Sequence, residues 1–272
     1  MNSCDFIPKN NDAKEWLAAI PKLKTYIDEY QNGGNAKGQV KNEKMSQQSI
    51  LNNINSSIDS DYYITDMEYN CPGIGYGRFD YVAINKKKGK AGKYGLALIE
   101  LKYRTSAFGT SREEKNGKTS YGSGIVGHAL NFSRFVYGVK NNNSFQREKV
   151  ANTKYDKLEF LREETVNILR NKIDLGLLDI ESNEMYGILD DENIDISKNN
   201  VETLLICVAC EDEYKAKDTI SKYLGFNNVA EENVEKLKTN GEIAHSFKLK
   251  CFITKEDTVE SLYENQFTDL SI

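Results

Sequence analysis

Residues 97–104 read ALIELKYR. Ala97, Leu98, Ile99 and Leu101 place apolar side chains on both parities, the pattern of a strand buried on both faces of a sheet. Glu100 and Lys102 break that pattern. Side chains i and i+2 project from one face of a strand, so this carboxylate and ammonium stand side by side, while Ala97, Ile99, Leu101 and Tyr103 point the other way. Unpaired buried charges are costly, so such groups pair or bind a cation.

Working outward, three strand-like runs precede or include this stretch: YYITDMEYN (62–70), RFDYVAIN (78–85) and YGLALIELKYR (94–104). CPGIGYG and KKKGKAGK join them, both rich in turn residues, and an antiparallel meander is the economical reading. Asp80 then lies on the strand beside Glu100 and Lys102. A helix is expected over 39–58, with Leu51, Ile54 and Ile58 on one stripe that also carries Glu43. Another is expected over 12–31, interrupted or kinked near Pro21. After a polar loop (105–124), IVGHALNFSRFVYGV sets Ile125, His128, Phe132, Phe135 and Val139 at helical spacing, which predicts a helix packed on the sheet.

Further on, a long charged helix is expected from 145 to about 174, with Leu158, Leu161, Leu169 and Ile173 on one side. NVETLLICVACE (200–211) reads as a buried strand, EDEYKAKDTISKYLGF as a helix and SFKLKCFITKED as a strand. The expected class is α/β, a mixed sheet flanked by helices. One domain over 1–272 is expected, with an N-terminal helical region over 1–38 and a candidate insertion near 179–200.

Composition narrows the function. The net charge of -5 argues against coating nucleic acid by bulk charge, though not against a local basic surface. With two histidines, His128 and His245, a multi-histidine zinc catalyst is excluded, so a metal would take oxygen ligands. Cys4, Cys71, Cys207, Cys210 and Cys251 are too few and scattered for a disulfide framework. CVAC at 207–210 reads as buried thiols on a core strand before it reads as a zinc or redox pair. No apolar run approaches a membrane span, and the opening MNSCDFIPKNND lacks the regions of a signal peptide; a cytoplasmic protein without membrane association is expected.

Asp80, followed twenty positions later by Glu100-Leu101-Lys102 in an apolar strand, resembles the signature of the PD-(D/E)XK nuclease superfamily: an Asp on one strand and an acid-x-Lys on the next. The resemblance covers roughly 39–140 and departs at Phe79, where the pattern has Pro. It implies a restriction-endonuclease-like fold and a metal-activated water attacking a phosphodiester, in DNA before RNA, with Mg²⁺ as cofactor and Mn²⁺ able to substitute. Asp80, Glu100 and the Leu101 carbonyl would be metal ligands, Lys102 the catalytic lysine, and Glu43 the acid that many members supply from the preceding helix. Restriction, phage defence or DNA repair would be the setting, and a homodimer is compatible with it.

For the flanking residues two readings stay open. His128 is either a hydrogen-bonded core histidine or a group facing the site; Asn131 and Arg134 follow on an adjacent helix face, where they could meet a nucleic-acid backbone. Lys86, Lys87, Lys88, Lys90 and Lys93 form either a solvated hairpin tip or a phosphate grip near the cleft. GIGYGR opens a strand and not a helix, which argues against a nucleotide fingerprint. The alternative to an enzyme is a catalytically inactive nucleic-acid-binding or scaffold protein that keeps the fold. A further one is a globular protein in which Glu100 and Lys102 simply pair.

Overall fold

A computed structural model describes residues 13–32, 42–89, 91–109, 113–115, 118–120, 122, 124–141, 144–178, 184–198, 200–226 and 229–272. The chain divides into two compact units, 1–48 and 49–272. The first holds α1 (Ala13–Asn32), an unbroken helix with Pro21 inside it, where Thr25 Oγ1 donates to the Pro21 carbonyl at 3.0 Å. The unit boundary falls within α2 (Asn42–Ser56).

In the second unit β1 (Tyr62–Asn70), β2 (Arg78–Lys88) and β3 (Tyr94–Tyr103) form the expected antiparallel meander. Two small hairpins, β4 (Glu113–Lys115) with β5 (Lys118–Ser120) and β6 (Val139–Asn141) with β7 (Ser144–Gln146), flank α3 (Ile125–Tyr137). Then follow α4 (Lys157–Asp174), β8 (Ile194–Asp195), β9 (Glu202–Val208), α5 (Glu213–Tyr223), α6 (Glu232–Thr239), β10 (Leu249–Ile253) and β11 (Thr268–Leu270). Among the described residues the main sheet has the order β1-β2-β3-β9-β10-β11, with β8 against β3. β9 runs parallel to β3, and β10 parallel to β9. A parallel neighbour requires a crossover, and α3 and α4 lie in it.

The two faces of β3 explain its continuous apolarity. Ala97, Ile99 and Leu101 join Ile50 and Ile54 of α2 with Tyr81, Ala83, Leu204 and Ile206 in one core. Leu96 and Leu98 join Val82, Ile84, Leu205 and Cys207 in the other, under α3, α4 and α5. Each fully buried aliphatic side chain contributes roughly 1.5–3 kcal/mol, so this strand is the spine of the unit. Phe79, which stands where the family pattern has Pro, stacks on Phe132 (centroids 5.4 Å) and meets Phe135 edge-on (4.9 Å). It therefore fastens α3 to the sheet next to Asp80. The thiols of Cys71, Cys207, Cys210 and Cys251 are buried and free, with Cys207 and Cys251 sulfurs 4.0 Å apart; Cys4 lies outside the described residues.

Four local expectations are corrected. α2 stops at Ser56, and Ile58, expected on its apolar stripe, is 93% exposed. The helix expected from 145 starts only at Lys157. Asp156 caps it, its Oδ1 accepting from Leu158 N–H (2.9 Å) and Glu159 N–H (3.1 Å) while Glu159 Oε2 accepts from Asp156 N–H. Upstream, Asn152 takes φ 62 within a turn closed by Val150 N–H on the Tyr155 carbonyl, which a helix cannot accommodate. The polar loop after β3 begins with a tight 3₁₀ turn, Thr105–Phe108, whose Phe108 is wholly buried. Val139 has left α3, because Gly138 at φ 95 ends the helix. Of the stretch 179–200, residues 179–183 and 199 lie outside the described residues, and the remainder contributes β8 to the sheet.

Candidate active site

The β2–β3 ladder runs from Lys88 opposite Tyr94 to Tyr81 opposite Ile99. Past Tyr81 a side chain takes over from the backbone: Asp80 Oδ2 accepts the Leu101 N–H at 2.7 Å. Asp80 thus lies against the main chain between Glu100 and Lys102. On the face shared with α3, Lys102 Nζ donates to Glu100 Oε1 at 2.7 Å, with both side chains under a tenth exposed. The other oxygen, Glu100 Oε2, lies 3.1 Å from His128 Nδ1. Strand periodicity places Glu100 and Lys102, and the crossover through α3 brings His128 down onto them.

The charges set one another's proton affinities. Burial, and next the nearby charge of Glu100, push the Asp80 carboxyl up from 3.8 to about 7, against the pull of the Leu101 N–H and Lys102. For Glu100, burial also pushes upward, but the hydrogen bond and charge of His128 together with Lys102 outweigh it, so its carboxyl lies below the ordinary range. Two carboxylates in one place are driven apart in this way, one held ionised and the other close to half-protonated at neutral pH.

Glu68 is the neighbour that sequence reasoning overlooked. In the β1–β2 register Met67 opposes Tyr81 and Tyr69 opposes Phe79, which sets Glu68 across from Asp80. Its backbone takes φ 59, unusual for a non-glycine residue, and its charge also raises Asp80. The signal was the acid in DMEY, legible only once the antiparallel register is known.

Compared with protein-family models, curated proteins and solved structures, the chain gives no match.

The remaining candidates are dispersed. Glu43, expected to point inward, is exposed in the first turn of α2 and belongs to the other compact unit. Asn131 is half-buried on α3, and Arg134 Nη2 reaches Glu242 Oε2 at 3.8 Å. The lysine-rich hairpin sits at the opposite end of the β2–β3 ladder, not beside the cleft: six residues of strand separate Asp80 from Lys86, about 20 Å. There Lys86 Nζ donates to the Ile58 carbonyl and Lys88 Nζ lies 5.0 Å over the Tyr94 ring; Lys90 is outside the described residues.

Among the described residues, no group of three or more His, Cys, Asp or Glu is arranged to hold a metal ion. What the site offers is two hard oxygen donors, Asp80 and Glu100, whose mutual repulsion a cation would relieve. That donor set fits Mg²⁺, which binds through one or two carboxylates and completes its shell with water and substrate phosphate, rather than an ion needing an all-protein cage.

Proposed function

We propose that this chain is a metal-dependent phosphodiesterase of the PD-(D/E)XK type that acts on nucleic acid, DNA before RNA. The observation that carries the reading is the buried Glu100–Lys102 pair with the partly buried Asp80 seated on the Leu101 N–H between them. The surrounding order over 39–140, α2, the β1–β3 meander and then α3, supports the reading, being the order that the resemblance implies.

In this reading Asp80 and Glu100 would hold Mg²⁺, which when bound would supply a water of lowered pKa and neutralise phosphate charge. Lys102 lies within reach of the same carboxylate and meets the charge that develops on the phosphoryl oxygens. His128 fixes Glu100 from the helix side, so that the Glu100 carboxylate is held in one orientation by two donors. Asp80 takes up a cation only in its ionised form, so metal affinity rises with pH through about 7.

One observation favours the alternative of a non-catalytic scaffold: both Glu100 oxygens already have cationic or hydrogen-bonding partners inside the protein. Cleavage of supercoiled plasmid, linear duplex, single-stranded DNA and RNA with Mg²⁺ or Mn²⁺ decides between them. Metal-dependent cleavage by the wild type, lost in Lys102→Ala and Asp80→Ala, is expected. No cleavage of any substrate, with no calorimetric Mn²⁺ binding, would leave the group as a structural ion pair.

A further inference from the structure

The opposite end of the sheet holds a second chemistry. The β2–β3 hairpin, the segment after β8 and the start of β10 enclose a cavity of about 490 Å³. Lys87, Lys88, Lys93, Lys198, Lys248 and Lys250 line it, against the three carboxylates Asp195, Glu202 and Glu264. Those carboxylates are engaged within the protein. Glu202 accepts from Lys250 (2.8 Å), Tyr62 (3.0 Å) and Asn85 (3.0 Å). Glu264 Oε1 accepts from Asn85 at 2.5 Å, and Asp195 accepts from Ser197 N–H and Asn200.

The cations are not balanced in the same way. Lys87 pairs with Asp61 and Lys250 with Glu202. Among the described residues, Lys88, Lys93, Lys198 and Lys248 have no carboxylate within ion-pair distance; Lys88 and Lys198 only lie over the rings of Tyr94 and Tyr137. Six ammonium groups against three carboxylates leave the lining with an excess of positive charge, which Asp195 offsets in part at Lys93, and an anion bearing several charges relieves that excess. Size bears on which anion. The volume lies within the range of small-molecule sites, roughly 300–1,000 Å³, and Val136, Val201 and Phe247 supply an apolar wall that inorganic phosphate would not use.

We propose that this cavity is a binding site for a small, multiply phosphorylated ligand of nucleotide size, separate from the Asp80–Glu100–Lys102 group. The phosphates lie among the rim lysines, and the organic part faces the apolar wall. The proposal is independent of nuclease activity, because the two sites occupy opposite ends of β2 and β3.

The test is isothermal titration of the full chain with ATP and, separately, with inorganic pyrophosphate and with a single-stranded oligonucleotide. EDTA is present throughout, so that the carboxylate group has no metal to present, and low salt is used. Wild type is compared with Lys198→Glu, Lys248→Glu and a control reversal on the exposed face of α5, Lys217→Glu, each checked by circular dichroism. Expected are saturable ATP binding, ATP tighter than pyrophosphate, and a loss of about tenfold or more in each cavity variant with the control within about twofold. Three results would each overturn the proposal: no binding of ATP or pyrophosphate at about millimolar concentration, equal weakening by the control, or reversal-sensitive binding of a single-stranded oligonucleotide alone, which would make the cavity a strand contact.

Discussion

Replacing Asp80 by Asn should stabilise the metal-free protein, and increasingly so as pH rises. Asn keeps an Oδ1 to accept the Leu101 N–H and cannot ionise. In the wild type the Asp80 carboxyl is moved from 3.8 to about 7, chiefly by burial and by the charge of Glu100. Between those values the folded chain holds a proton that the unfolded chain has released, so stability falls as pH rises through this window and levels off above it. Each tenfold change in proton affinity is about 1.4 kcal/mol, so the ionised form carries on the order of 4 kcal/mol of unfavourable free energy. Urea unfolding in EDTA, at intervals from about pH 4 to about pH 8, measures the difference between Asp80→Asn and wild type. Far-ultraviolet circular dichroism is the suitable probe, since the single tryptophan, Trp16, lies in the other compact unit. The variant should match the wild type near pH 4 and gain up to about 4 kcal/mol by pH 8. A difference that is flat across the range, or that changes in the opposite sense, would refute the electrostatic account of Asp80.

Lys102→Met leaves Glu100 buried with His128 as its remaining partner, and should cost about 3 kcal/mol in chemical denaturation; a cost under about 1 kcal/mol would mean the pair is not desolvated as described. His128→Ala removes a group that holds the Glu100 carboxyl down, so the stability that ionised Glu100 confers above the ordinary carboxylate range should be lost at higher pH than in the wild type as pH falls, measurable by acid titration. Asp156→Ala deletes both the cap of α4 and the 2.9 Å contact with Arg147 Nε, an expected loss of about 1–2 kcal/mol that Asp156→Asn should partly restore. Gly138→Ala combines φ 95 with a Cβ that collides with the Gln146 carbonyl group, so a loss of about 2 kcal/mol or more, or failure to fold, is expected from thermal melts.

The sequence by itself determined the meander and the face on which Glu100 and Lys102 stand, because strand periodicity and turn residues are local. It also determined the helical spacing that puts His128 on the apolar side of α3. Helix ends were less legible. The stretch 145–156 is charged and carries no glycine or proline, but a turn at Asn152 and the Asp156 cap fix the start of α4, and Ile58 falls two residues past the end of α2. Only the tertiary structure decided which groups meet: Asp80 on the Leu101 N–H, Glu68 across from Asp80, His128 on Glu100, and the lysine-rich hairpin at the other end of β2, about 20 Å along the strand from Asp80. Spacing along one strand says which side chains share a face. The neighbours across that face depend on register, bulges and the path of the crossover, which are set by burying two cores at once.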